Sequence, residues 1–218
     1  MTCRVLTAGA IIDLHDQRTL AWHDRPCGKE LPDMQPAGAA RPEVGDWLQL
    51  VTRQHRANFD LWHIEDEART PGATDAELAA VKRRVDATNQ RRNDLVEELD
   101  RFLLAWLESR GLPNPEAPLH SETPGLIIDR LSILSLKIYH TREETGRTDG
   151  PEGHMTRNLE RLAILEEQRS DLAACLDALW RETVAGVRRF KLYRQLKMYN
   201  DPSLNPAVYG KVAVRPDA

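Results

Sequence analysis

Cysteine is scarce in this chain of 218 residues, and its three cysteines are widely spaced with no CxxC pair. An odd number of isolated cysteines argues against a disulfide framework and predicts free thiols in a reducing cytoplasm. Cys175 stands among apolar residues in the segment AACLDALW, so we expect it to be a small residue of the core.

Long apolar segments are also missing. No apolar run approaches the ~20 residues that a membrane-spanning helix requires. The N-terminal segment has a short apolar patch, but an acidic residue follows it too soon for a signal peptide. We therefore expect a cytoplasmic protein that makes no use of a membrane.

The chain has no excess of positive charge, since its formal net charge is -4 at pH 7. Nucleic acid is therefore not an expected partner, because non-specific binding to it needs a basic surface. The sequence also lacks a glycine-rich phosphate loop, a GxSxG or HExxH motif, a dinucleotide fingerprint and a haem attachment motif. We expect no organic cofactor.

What the sequence does contain is a series of helix-forming segments between loops rich in proline and glycine. Thr74 and Glu77 have the pattern of a capping box, and Thr123 with Pro124 provides an N-cap and a first turn. The five predicted helices cover Ala10 to Trp22, Pro42 to Arg69, Thr74 to about Arg110, Thr123 to Gly146, and a last segment from between Pro151 and Thr156 to just before Asp201-Pro202.

No strand-like alternation competes with these helices. We therefore predict an all-α protein, a bundle of about five long and mostly antiparallel helices. A chain of this length is adequate for one domain. Residues 1–218 are expected to form that domain, with a loop at 24–42 and an irregular C-terminal tail at 200–218.

The second predicted helix carries an apolar stripe that becomes polar without leaving its face. Residues on one side of a helix lie three or four positions apart. At that spacing the helix has Leu48, Val51, His55, Asn58, Trp62, Glu65 and Arg69. Polar groups on a core-facing side need internal partners or a ligand, so the stripe predicts a polar site inside the bundle.

Polar residues interrupt the apolar faces of other predicted helices as well. They are Asn89 and Arg92 in the third, Asp129, Arg130 and Lys137 in the fourth, and Arg169 in the fifth. The three in the fourth helix cannot all reach water, because that helix is apolar on most sides. We expect the interruptions to meet between the second, third and fourth helices. In a purely structural alternative, Arg92 or Arg169 forms a buried ion pair with Glu65, and His55 is an ordinary core histidine.

This mixture of side chains favours an enzyme that acts on a small polar, anionic metabolite such as a sugar phosphate or nucleotide sugar. Arginine suits a two-point grip on phosphate or carboxylate, and histidine titrates near neutrality. The predicted acid–base residues are His55, His63 and Glu65. The predicted substrate-binding residues are Asn58, Trp62, Arg69, Asn89, Arg92, Asp129, Arg130 and Lys137.

A bound metal ion is a second possibility. The Glu-x-x-His pairs of di-iron bundles are absent, and His55 and Glu65 lie roughly 15 Å apart along one helix, too far for a single ion. Without a recognised ligand spacing we do not expect an essential metal, although folding could assemble one. Its ligands would come from several helices, among His23, His55, His63, Asp94, Asp129 and His140.

Four segments resemble a known family: HRANFDLWHIEDEAR, VDATNQRRNDLVEELD, TPGLIIDRLSILSLKIYH and RQLKMYNDPSLNP. The resemblance is to a bacterial family described as a domain of unknown function, whose members occur near glycosyltransferase and surface-polysaccharide genes. It implies a cytoplasmic role in sugar or natural-product biosynthesis and assigns no catalytic residue.

The C-terminal tail supports an alternative of a different class. Its sequence, FKLYRQLKMYNDPSLNPAVYG, mixes basic residues with tyrosines, a composition common at interfaces. On this interpretation the protein is a non-catalytic helical partner of a glycosyltransferase, or it self-associates. A tail that packs on its own bundle is the plainer interpretation.

Overall fold

The structure is a computed structural model that describes residues 7–24, 44–196 and 203–206. These residues form five helices: α1 (Ala8–His23), α2 (Val44–Glu67), α3 (Asp75–Glu108), α4 (Pro124–Thr145) and α5 (His154–Val184). Within the same ranges no strand forms, and an isolated β-bridge joins Leu119 to Arg189. The prediction of an all-α bundle is confirmed. Whether residues 1–218 form a single domain stays a prediction, because most of the predicted loop and tail lies outside the described residues.

Side-chain caps determine where three of the helices begin. The Thr7 side chain accepts a hydrogen bond at the start of α1. At the start of α3, the Thr74 hydroxyl oxygen accepts from the Glu77 backbone N–H at 3.3 Å, and the Glu77 carboxylate accepts from the Thr74 backbone N–H at 2.8 Å. The predicted capping box is confirmed, and so is Thr123 as the N-cap of α4.

The last helix is much shorter than its sequence pattern predicts. It ends at Val184, whereas the prediction continued it to just before Asp201-Pro202. Gly186 has a φ of 74°, a left-handed conformation that glycine adopts without strain and that terminates helices. Phe190 was expected on the helix but is buried in the extended segment after it, where the His120 N–H donates to the Arg189 carbonyl at 2.7 Å.

Contacts along the sequence show that neighbouring helices are antiparallel from α2 onward. Glu67 at the end of α2 pairs with Arg84, and Arg53 nearer its start pairs with Glu98 farther along α3. The α3–α4 and α4–α5 pairs are antiparallel as well, since residue numbers rise along one helix as they fall along the other. The contacts that show this are Asp100–Gly125, Arg92–Asp129, Glu144–His154 and Arg142–Glu166.

Helix α1 runs parallel to α2 and α4. Thr19 and His23, one turn apart on α1, contact His55 and His63 in the same order along α2. The α1 chain also contacts α5 in the opposite order, through Asp16–Arg169 and Ala8–Asp177. The C-terminal ends of α1, α2 and α4 therefore lie at the same end of the bundle.

All five helices contribute to one main hydrophobic core. Cys175 is not part of it: the residue is exposed, so its prediction as a core residue was wrong. Leu48 is 38% exposed, whereas its neighbour Trp47 is completely buried. Leu48 therefore lies at the edge of the buried face of α2, whereas Val51, His55 and Asn58 of the predicted stripe are buried. Across the ranges described, none of the helices combines the length and apolar character that a membrane crossing needs.

Candidate metal centre

Three histidines meet where the C-terminal ends of α1, α2 and α4 converge. His23 is the last residue of α1, and His63 and His140 lie in the turn before the last of α2 and α4. One ring nitrogen from each histidine lies within 4.8 Å of the other two. A transition-metal ion bound at roughly 2.0–2.1 Å from each nitrogen would draw them closer together. Each ring is half-buried, so the group is neither a packed core nor an open surface.

Two of these rings are each oriented by a hydrogen bond at Nδ1. His23 Nδ1 lies 2.8 Å from the Thr19 carbonyl oxygen, and His140 Nδ1 lies 2.8 Å from a Glu143 carboxylate oxygen. Both partners only accept, so Nδ1 carries the proton in each ring and Nε2 keeps its lone pair. Both Nε2 atoms are buried without a hydrogen-bond partner among the described residues. Metal-binding histidines show this arrangement.

Aromatic side chains hold the planes of the three rings. Tyr139 stacks on His23 with ring centroids 4.3 Å apart, and Trp62 stacks on His140 at 4.8 Å. Phe59 meets His63 edge to face at 4.5 Å. A ring that is packed on its flat side cannot tilt freely, so the nitrogens keep their directions.

The surroundings favour a cation and neutral imidazoles. Burial, followed by the neighbouring His23 and His140, lowers the pKa of His63 from its usual value. A neutral His63 can donate its lone pair to a metal at pH 7. The partial negative charge at a helix C-terminus also stabilises a cation nearby, and His23 is the last residue of α1.

A second polar group lies deeper between α1, α2 and α4. His55 is completely buried, with Nε2 at 2.9 Å from the Thr19 hydroxyl oxygen and Nδ1 at 2.7 Å from the Ser132 hydroxyl oxygen. Burial lowers the pKa of His55 to about 3. Both ring nitrogens are occupied and the ring is closed to solvent, so His55 does not touch a substrate in this conformation.

The polar residues predicted between α2, α3 and α4 meet in part. Asp129 accepts hydrogen bonds from Gln54 at 2.6 Å and Asn58 at 2.9 Å, and Arg92 Nε lies 3.8 Å from the same carboxylate. Burial raises the pKa of Asp129, and Arg92 and Asn58 oppose that rise. Asn89 on α3 is also buried in part. Its amide oxygen has no hydrogen-bond partner within the part of the chain that the structure describes.

Other predicted site residues lie apart from both groups. Glu65 pairs with Arg69 on the surface, where their side chains are 43% and 68% exposed. The expected buried ion pair of Glu65 with Arg92 or Arg169 is wrong, because Arg92 faces Asp129 and Arg169 binds Asp16. The remaining predicted residues, all exposed, are Asp94, Arg130 and Lys137. Arg130 pairs with Glu122 at 2.7 Å.

Sequence reasoning did not single out the three histidines from the longer set of possible ligands, and it missed Thr19 as the partner of His23. A signal was present. Each histidine follows an aromatic residue near the end of its helix, in the dipeptides Trp22-His23, Trp62-His63 and Tyr139-His140. A repeated aromatic–histidine pair on three helices is a pattern that spacing within one helix does not reveal.

Comparison with known proteins gives one finding. The family described as protein of unknown function (DUF4254) matches residues 48–192. This range contains α3, α4 and α5 and most of α2, and with them His63 and His140, whereas His23 on α1 precedes it. No curated protein and no solved structure matches the chain.

Proposed function

The chain belongs to the DUF4254 family, whose description assigns no activity, and we propose from its own geometry that it is a metal-dependent enzyme. The metal would be a divalent transition ion held by His23, His63 and His140. One observation carries the proposal: three imidazoles from three helices converge, and in two of them Nδ1 is hydrogen-bonded while Nε2 has no partner among the described residues.

Three neutral imidazoles suit zinc most directly, and they leave the full positive charge of the ion uncompensated. A set of three protein ligands also leaves a fourth position for water or substrate, and such an ion lowers the pKa of its water to about 7. We therefore propose a hydrolytic or hydration reaction.

Elemental analysis of protein purified without a histidine tag tests the site directly. We expect close to one equivalent of a transition metal per chain. The variants His63→Phe and His140→Phe keep an aromatic ring but remove the ligand nitrogens, so they should lose the metal while remaining folded. His120→Phe is the matched control, because His120 lies outside the cluster and bonds to Glu122. Wild-type protein that binds no added Zn²⁺ contradicts the proposal.

A metal-free protein would leave acid–base chemistry by His63 as the second candidate function. Burial and the other two histidines lower the pKa of His63, so its ring is neutral at pH 7 and can accept a proton. Glu65, the predicted partner, is turned toward Arg69. In that case His63→Phe should abolish turnover of the substrate without any change in metal content.

The cellular setting rests on the resemblance alone. We propose a cytoplasmic role in sugar or natural-product biosynthesis in bacteria, with a small polar, anionic metabolite as substrate. A glycosyltransferase as binding partner, or self-association, remains the non-catalytic alternative. Co-purification with a glycosyltransferase from a neighbouring gene, together with a metal-free and inactive isolated protein, would favour that alternative over the enzyme.

A further inference from the structure

We propose that Thr19 and His55 are positioning residues for the metal centre, an inference that rests on the proposed function. A chain of buried hydrogen bonds fixes α1 against α2 and α4, and the position of α1 sets where His23 directs its free nitrogen. On this account His55, the most prominent histidine of the sequence, acts through Thr19 and never contacts the metal or the substrate.

Thr19 links the two polar groups. Its carbonyl oxygen accepts from His23 Nδ1 at 2.8 Å, and its hydroxyl oxygen lies 2.9 Å from His55 Nε2. His23 is one turn farther along the same helix. A rotation of α1 about its axis, or a shift along it, would therefore break the Thr19–His55 contact and displace the His23 ring together.

The Ser132 hydroxyl accepts an Asn58 amide hydrogen at 2.9 Å, and it keeps one lone pair and one hydrogen for His55 Nδ1. In one tautomer of His55, Nδ1 accepts from Ser132 and Nε2 donates to Thr19 Oγ1, and in the other tautomer both directions are reversed. In both tautomers the His55 ring connects Thr19 on α1 to Ser132 on α4.

The hydrogen bonds among Thr19, His55 and Ser132 are buried, so the loss of one of them destabilises the packing of α1. Thr19, His55 and Ser132 are all completely buried, and a buried donor that loses its partner costs the folded state free energy that water does not return. The chain also continues to Asp129, because Asn58 donates to that carboxylate as well. The α1 position is thus tied to polar groups on α2 and α4 as well as to apolar packing.

The variant Thr19→Val tests the proposal, because it removes the hydroxyl and keeps the size of the side chain and the backbone carbonyl. With Co²⁺ as the probe, we expect the Kd to rise by about tenfold, the lower end of the effect seen for outer-shell partners of metal ligands. The visible absorption of bound Co²⁺, which reports its coordination, should change as well. Thr19→Ser restores a hydroxyl and should recover both.

Thr183→Val is the matched control. Thr183 is also a completely buried threonine, but its hydroxyl donates to the Leu179 carbonyl within α5, so its loss should leave Co²⁺ binding unchanged. Ser132→Ala provides a second test at the opposite nitrogen of His55 and should weaken binding as Thr19→Val does. Wild-type affinity and spectrum in both Thr19→Val and Ser132→Ala overturn the inference but leave the metal site intact. A wild-type protein that does not bind Co²⁺ overturns the proposed function itself.

Discussion

At the scale of single residues, the metal proposal depends on which nitrogen each ring presents. A histidine whose Nδ1–H is held by a carboxylate directs a more basic Nε2 toward a metal. Glu143 holds His140 in this way at 2.8 Å, and Thr19 holds His23 through a neutral carbonyl. The carboxylate is the stronger partner, because a hydrogen bond to an ionised acceptor is stronger than one to a neutral oxygen.

Replacement of that carboxylate should therefore weaken metal binding without unfolding the protein. For Glu143→Gln we expect the Kd for Zn²⁺ to rise by roughly 10- to 100-fold, measured by competition with a chelating dye. Glu144→Gln is the control, because Glu144 lies next in the chain but pairs with Arg147 and His154. Equal affinities in the two variants would show that Glu143 does not support a ligand.

At the scale of elements, the contact between α3 and α4 is unusually close and contains a buried carboxylate. Asp100 is 2% exposed and accepts from the Gly125 N–H, in the first turn of α4, at 2.7 Å. A Cβ on Gly125 would lie 2.7 Å from the Val96 carbonyl oxygen, so only glycine allows this approach. Burial raises the pKa of Asp100 to about 6, against hydrogen bonds from Thr123 and Gly125 that lower it.

This carboxyl should make the protein less stable as the pH rises. The unfolded chain releases the Asp100 proton near its usual pKa of about 4, whereas the folded chain holds it up to about pH 6. Between those values the folded state binds more protons, so the contribution of Asp100 to the free energy of unfolding falls with rising pH. The fall reaches at most about 3 kcal/mol and is complete above pH 6.

The variant Asp100→Asn isolates this effect, because its amide oxygen can still accept from Gly125 but does not titrate. Urea unfolding between pH 4 and pH 7 should show the variant gaining stability relative to wild type as the pH rises. Asp94→Asn, an exposed change on the same helix, measures the effect of removing a surface charge. If the free energies of unfolding of the wild type and Asp100→Asn differ by the same amount at every pH, Asp100 does not have the raised pKa.

At the scale of the whole molecule, the parallel run of α1, α2 and α4 makes the centre possible. Consecutive antiparallel helices place their C-terminal ends at opposite ends of a bundle, so histidines near those ends would stay far apart. Here α1 and α2 are parallel. Helix α4 has the same direction, because α3 is antiparallel to both α2 and α4. Residues from regions separated by about 40 and 80 positions in the sequence meet at one point.

Metal binding should therefore stabilise the entire fold, because the three ligands join helices that local sequence does not connect. Free Zn²⁺ at one hundred times its Kd should add about 2.7 kcal/mol to the free energy of unfolding. A chelator should reverse the gain, and His140→Phe should not show it. Thermal unfolding that is unaffected by Zn²⁺ in the wild-type protein would contradict a site that links α1, α2 and α4.

Local signals in the sequence determined most of the helices. The boundaries of α1 to α4 lie within two residues of their predicted positions, because apolar periodicity and capping residues such as Thr74 and Thr123 act within a few positions of the chain. The same signals did not predict the end of α5, because the apolar spacing continues past Gly186 to Phe190. The prediction that Cys175 lies in the core was also wrong. Apolar neighbours in the sequence do not show which side of a helix a residue is on, because consecutive residues point to different sides.

Only the tertiary structure decided which polar residues meet. The sequence named His23, His63 and His140 among six possible ligands, and it named Asn58, Arg92 and Asp129 among the polar residues of the interior. Their grouping depends on the direction and rotation of each helix, which many weak contacts between distant segments set together. A stripe on one helix predicts that a polar site exists, but the partners on the other helices are fixed by packing. Glu65 and Arg69 continue the stripe of α2 in sequence, but they pair with each other on the surface, and Arg69 lies beyond Glu67, where the helix ends.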